Sequence, residues 1–126
     1  MSSVARMEVP NRMRSVNVRM LIDTMPIVST IDYDVSKSGI FPVGIWVKTK
    51  KSESTLDREL RSSGKAVSLL LQYGCSLKEI SETFTRDSII GSVVWYLNKN
   101  LDDILLGNQP EKVPNLSTQP QGYTIK

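Results

Sequence analysis

Histidine is absent from the 126 residues. That removes the commonest general base and the commonest metal ligand at neutral pH. Cysteine occurs once, as Cys75. A single thiol forms no intramolecular disulfide, and without histidine it cannot complete a structural zinc set. Ser–His–Asp and Cys–His arrangements are excluded within one chain. No apolar run approaches the ~20 residues that cross a bilayer. Met1 to Arg6 carries no apolar segment of the signal-peptide kind. These absences, with the lone thiol, fit a reducing compartment. The reading is a cytoplasmic protein without membrane contact, in the host cytoplasm if the source is viral. Lysine, aspartate and glutamate remain as catalysts, but no two of them meet at a recognisable spacing. The chain therefore reads as non-enzymatic, with no catalytic residue, no metal and no cofactor.

The composition that is present, 40% hydrophobic and 23% charged, is that of an ordinary globular domain. A chain of this size buries a core without cross-links. Charge is uneven. Residues 1–65 carry 11 Lys/Arg against 7 Asp/Glu, and residues 66–126 carry 5 against 6. A basic excess confined to one half suits an anionic ligand. It falls short of the density of a dedicated duplex-DNA binder.

Two periodicities divide the chain. Val16, Val18, Met20 and Ile22 alternate with Asn17 and Arg19, which is the period of a strand. Turn residues at Asp23–Pro26 lead into a second alternation from Ile27 to Asp34. Another turn at 35–39 leads into a third strand from Phe41 to Lys48, with Gly44 marking a bulge or a close backbone approach. Short loops make these an antiparallel meander. The period then becomes helical. Ser54-Thr55-Leu56-Asp57 opens a helix as a capping box, with Leu56, Leu60, Ser63, Val67, Leu70 and Leu71 on one face. Gly74 ends it. Ser76-Leu77-Lys78-Glu79 opens a short helix, with Cys75 and Ile80 as its hydrophobic staple. A third helix follows Asp87 and runs to Leu105, with Gly107 to Pro110 ending it. The expected fold is α+β: a small antiparallel sheet of about three strands packed on a long helix, followed by a short helix and a third helix. Residues 1–11 read as an arm, 12–106 as the domain and 107–126 as a tail.

The C-terminal half of the long helix is apolar nearly all round, because Ala66, Leu69 and Tyr73 flank its polar side. A three-stranded sheet covers only one side. The other calls for the third helix or a second subunit, so a homo-oligomer is expected.

The run Ser68-Leu69-Leu70-Leu71-Gln72-Tyr73-Gly74, followed by a short helix ending in Phe84-Thr85-Arg86, resembles a known family. It is similar to the small TSCPD-type C-terminal domain of cobalamin-dependent (class II) ribonucleotide reductases. Val9-Pro10-Asn11-Arg12-Met13-Arg14 stands where that domain has a Pro-x-Arg-Arg-like segment, and Gly44-Ile45-Trp46-Val47 matches its third strand. Val94-Trp95-Tyr96-Leu97 echoes its last helix. The likeness spans roughly residues 9–106. Ile31-Asp32-Tyr33-Asp34 keeps the acidic second strand only in part, and Cys75-Ser76 replaces the proline after the helix-ending glycine. The barrel, its cysteines and a C-terminal cysteine pair are missing. The resemblance thus implies a fold without the reductase reaction.

Arg58, Arg61 and Lys65 share one face of the long helix, with Lys50 and Lys51 just before its start. Arginine clamps phosphate bidentately, and Gln72 further along that face offers hydrogen bonds to a base or sugar. The bland alternative is a solvated face partly neutralised by Asp57 and Glu59. Arg12, Arg14 and Arg19 read either as an anion-binding arm or as charged protection of a strand edge. Trp46 and Trp95 read as core residues, the alternative being base-stacking platforms. Cys75 reads as buried and inert. Asp32 with Asp34, and Asp102 with Asp103, make poor cation sites.

Three functions compete. The first is a non-catalytic oligomeric binding protein for a nucleotide or other phosphorylated ligand; a viral protein that sequesters a host's cyclic-nucleotide signal belongs to this class. The second is an accessory or regulatory subunit of a ribonucleotide reductase, docked through the apolar half of the long helix. The third is a structural or interaction protein with no small ligand.

Overall fold

The computed structural model describes residues 6, 13–36, 39–50 and 54–118. Its strands are β1 (Arg14–Ile22), β2 (Met25–Ser36), β3 (Gly39–Thr49) and β4 (Asn115–Leu116). Its helices are α1 (Thr55–Gln72), α2 (Leu77–Thr83), α3 (Ile89–Lys99) and α4 (Leu101–Leu105). The sheet is mixed, in the order β3-β2-β1-β4. The first three strands form the antiparallel meander read from the alternation. The fourth, which the sequence reading lacks, pairs parallel to β1 at Leu21 and Ile22.

Val18, Met20, Ile22, Ile27, Ile31, Ile45 and Val47 turn one sheet face inward. Leu60, Val67 and Leu71 of α1 and Ile90, Val93, Val94 and Leu97 of α3 close over it. Ser29 sits among them, opposite Val18 and Val47, with its hydroxyl buried and no hydrogen-bond partner.

Helix ends follow the local chemistry. Ser54 Oγ accepts the Asp57 N–H, and Gly74 takes a positive φ of 96° beyond α1. Ser76 and Glu79 form a reciprocal capping box at α2. The third helix departs from expectation. It breaks at Asn100, whose φ of −114° and ψ of 17° leave the helical range between α3 and α4 and whose side chain donates to Tyr96 O. Asparagine competes for the backbone in this way wherever a helix can bend.

β3 is an edge strand, and α1 covers its edge. Gly64 makes the closest approach: a Cβ there would stand 2.9 Å from Ile45 O. Ser68 Oγ accepts the Ile45 N–H at 2.9 Å, and its proton lies within reach of Ile45 O and Gly64 O. Gln72 Nε2 donates to Val43 O at 3.0 Å, and Asp57 Oδ1 accepts the Thr49 N–H at 3.1 Å. Asp57, Gly64, Ser68 and Gln72 stand two turns, one turn and one turn apart and form one stripe of the helix.

The β1 edge is covered by residues 109–118. Gln109 Nε2 donates to Asn17 O, Leu21 N–H to Pro114 O, and Asp23 N–H to Leu116 O. The same segment holds the β1–β2 turn, where Asp23 and Thr24 take φ of 48° and 67°. Left-handed backbone suits a tight hairpin but is unfavourable for a β-branched residue. Thr24 N–H is held by Asn115 Oδ1, and the Asp23 carboxylate accepts from the Thr118 hydroxyl and amide. Those bonds from Thr118 lower the Asp23 carboxyl below the ordinary aspartate range.

Two substitutions test this packing. Gly64→Ala would gain about 1 kcal/mol in an isolated helix. Here the contact with Ile45 O should reverse the sign, with a net loss of about 1–3 kcal/mol. Ser29→Ala should raise stability by about 1 kcal/mol by removing a buried hydroxyl that has no partner. Urea denaturation midpoints read both; a stabilised Gly64→Ala would contradict the close approach.

Candidate functional site

Among the described residues, no helix lies on the sheet face opposite the core. Its side chains stand in cross-strand rows: Arg19, Val28 and Lys48; then Asn17, Thr30 and Trp46; then Ser15, Asp32 and Gly44. Ser15 Oγ donates to Asp32 Oδ1, and Trp46 Nε1 donates to Asp32 Oδ2 at 2.7 Å. Thr30 Oγ1 donates to Asn17 Oδ1 at 2.7 Å. Gly44 makes the tryptophan's position achievable. A Cβ on it would stand 3.3 Å from both Asp32 Oδ2 and Trp46 Nε1. The indole therefore lies along the sheet above a residue with no side chain, and Trp46 keeps 37% of its surface exposed.

Trp46 was expected in the core and is instead on the open face. The correcting signal is its parity: in β3, Val43, Ile45 and Val47 turn inward, so Gly44, Trp46 and Lys48 turn out. Trp95 also differs from a simple core residue. Half-buried, it carries the Arg86 guanidinium 4.1 Å and the Lys99 ammonium 4.8 Å from its ring centroid. Arg86 in turn donates to Ser92 Oγ and Ser117 O.

Around α1, Leu60 and Val67 lie on one side of Gly64 and enter the core. Arg61, Lys65 and Arg58 lie on the other side, about 60–120° away. That flank rises on the open-face side of β3, where the Gly64 contact also meets Trp46 Cα at 3.6 Å. Arg58 and Lys65 are exposed. Arg61 bonds Asp57 Oδ2 at 2.9 Å. Lys50 is exposed and follows Thr49, whose N–H Asp57 accepts, so the structure brings Lys50 to the same end as Arg61. Lys51 and Arg12 lie outside the described residues.

Three expectations for this helix are corrected. Gln72 is buried: its amide nitrogen is bound to Val43 O, and its oxygen accepts from Arg6 Nε at 2.6 Å. Its hydrogen bonds serve the strand edge and the Arg6 side chain rather than an open face. Arg61 is not a free surface cation, because Asp57 is only 2% exposed and Arg61 is its ion-pair partner. Leu70, assigned to the core face, is exposed, as are Leu69 at 43% and Tyr73 at 44%. Among the described residues, no third helix covers that side of α1.

Among the described residues no group of three or more Cys, Asp or Glu side chains is placed to share a metal ion. No helix of the described residues is long and apolar enough to cross a membrane. Comparison with protein families, with curated proteins and with solved structures finds no match in any of the three.

The Asp57–Arg61 pair separates a structural cation from the rest. Arg61→Ala leaves a buried carboxylate short of one charged donor and should lower stability by about 1–2 kcal/mol. Arg58→Ala and Lys65→Ala should each stay within about 0.5 kcal/mol of wild type. Denaturant unfolding at neutral pH measures the difference, and equal effects at the three positions would refute it.

Proposed function

We propose that the chain is a non-catalytic binding protein that assembles as a homo-oligomer and holds a nucleotide or another phosphorylated ligand. The observation that carries this reading is Trp46. Its indole N–H is bonded to Asp32, it lies over Gly44, and it remains open to solvent. A ring fixed in this way offers a π face on which a base stacks with little loss of side-chain freedom. Lys48 lies one row away on the same strand, and Lys65 flanks the strand from α1. Phosphates of a ligand stacked on Trp46 fall within the field of these cations. Arg58 and Lys50 extend the basic surface.

The exposed Leu69, Leu70 and Tyr73 support assembly, since water-facing apolar side chains of one helix favour a covering partner. The same face supports a second reading, an accessory subunit that docks on a ribonucleotide reductase. The likeness to the TSCPD-type domain agrees with either role and brings no barrel chemistry with it.

Calorimetry and tryptophan fluorescence with a panel of mono-, di- and cyclic nucleotides test the ligand. Binding should quench Trp46. Trp46→Ala should weaken it about tenfold or more, as stacking contributes ~1–3 kcal/mol per base, without lowering the melting temperature. Arg58→Ala with Lys65→Ala should weaken it while leaving the fold intact. If no nucleotide binds the wild type, the ligand reading fails. Sedimentation at micromolar concentration should give more than one subunit; a strict monomer would remove the oligomer.

A further inference from the structure

The far edge of the sheet holds a second and separate feature. Residues 109–118 follow β1 and bond to it at Asn17, Leu21 and Asp23. Backbone groups that face a strand edge recur every second residue, so Arg19 faces the same edge. No backbone hydrogen bond joins Arg19 to the covering segment. Beside it lies a cavity of about 360 Å³ between β1, α3 and the covering segment. That volume lies near the lower end of the ~300–1,000 Å³ typical of small-molecule sites.

Its lining is mostly polar. Asn17, Arg19, Tyr96, Gln109 and Glu111 all border it. Tyr96 comes from α3 and is 6% exposed. Its hydroxyl has no hydrogen-bond partner among the described residues, yet it is not sealed off like that of Ser29. An unpaired, unsealed hydroxyl on a residue that borders the cavity is a donor without an acceptor. Buried phenols ordinarily find an acceptor. Burial also raises the Tyr96 pKa, so the group stays an O–H donor at neutral pH.

The charges are the second clue. Arg19 and Glu111 border the same cavity and are both exposed, but no ion pair joins them. A simple anion would be drawn by Arg19 and opposed by Glu111. A simple cation would meet the reverse. A molecule carrying both charges satisfies both walls.

We infer that this cavity binds a small zwitterion, the size of an amino acid or dipeptide. Its carboxylate takes the Arg19 guanidinium and the Tyr96 hydroxyl as donors, and its ammonium faces the Glu111 carboxylate. Asn17 and Gln109 supply neutral hydrogen bonds at the rim. This inference does not depend on the nucleotide reading: Asn17 shares a cross-strand row with Trp46 and Arg19 one with Lys48, but Tyr96, Gln109 and Glu111 belong to no row of that face, and the recognition rests on them together with Arg19.

Calorimetry on the full chain tests it with four probes: L-alanine, dialanine, propionate and ethylamine. At least one zwitterion should bind, and the two single-charge probes should bind about tenfold more weakly or worse, ~1.4 kcal/mol. Tyr96→Phe keeps the ring and removes only the donor; it should weaken zwitterion binding several-fold. Glu111→Gln, at an exposed position, should abolish the preference for alanine over propionate, and it carries the test if Tyr96→Phe does not fold. Trp46→Ala should leave zwitterion binding unchanged. The inference is overturned if neither zwitterion binds with a Kd of about 10 mM or tighter, if propionate binds as well as alanine, or if folded Tyr96→Phe and Glu111→Gln bind as wild type does.

Discussion

The contact between α1 and the edge of β3 is the constraint from which most of the molecule follows. An edge strand presents unpaired N–H and C=O groups, which either meet water, recruit another strand or are covered. Here one stripe of a helix covers them. Gly64 brings the helix against Ile45, Ser68 bonds both backbone groups of Ile45, Gln72 takes Val43 O, and Asp57 takes Thr49 N–H. The approach is close because glycine has no Cβ, and it is stable because polar side chains replace the missing strand. Leu60, Val67 and Leu71, on the neighbouring stripe, reach the core from this position. Losing the edge contact would therefore also move the core.

The other edge is treated differently, and the difference bears on binding. The segment at residues 109–118 meets β1 by backbone and amide bonds at intervals, not by a continuous helix face. It also restrains Asp23 and Thr24 in left-handed backbone, where a β-branched threonine is unfavourable without support. A cover that touches the edge only at intervals leaves a gap, and the cavity beside Tyr96 is that gap. With both edges covered and one face packed, the open sheet face and the outer side of α1 remain as broad surfaces for contact.

Much of the architecture was legible from period alone. Alternation at Val16–Ile22 and Ile27–Asp34 located two strands, and Ser54, Ser76 and Gly74 located helix ends by their capping chemistry. What period could not reveal was the covering of edges. A polar stripe that binds backbone groups looks the same in sequence as a polar stripe in water, so Gln72 reads as solvent-facing when it is buried. β4 escaped for a related reason. Two residues in a proline-containing stretch have no period, and their pairing depends on β1 having a free edge beside them. The break at Asn100 lies within an apolar stripe that continues through it, so hydropathy carried the helix across. At Trp46, residue type misled where parity would have been correct.

Separating the groups that the fold requires from those it does not narrows the candidate site. Capping Thr49 N–H uses a carboxylate, Asp57, at a position the packing buries. A buried carboxylate needs a counter-charge, so Arg61 follows from folding whether or not a ligand exists. Gln72 follows from the same logic through Val43. Lys65, Arg58 and Lys48 have no such obligation. Trp46 has one hydrogen bond, to an aspartate that Ser15 also serves, and most of what that bond achieves is to fix a large apolar ring in water. An exposed indole is unfavourable to hydration and contributes little to this core. It stands on the open face with Val28, Arg19 and Lys48, outside the packed core. The same reasoning marks Tyr96: its ring belongs to the core, but a phenylalanine would fill that space without leaving a hydroxyl unpaired.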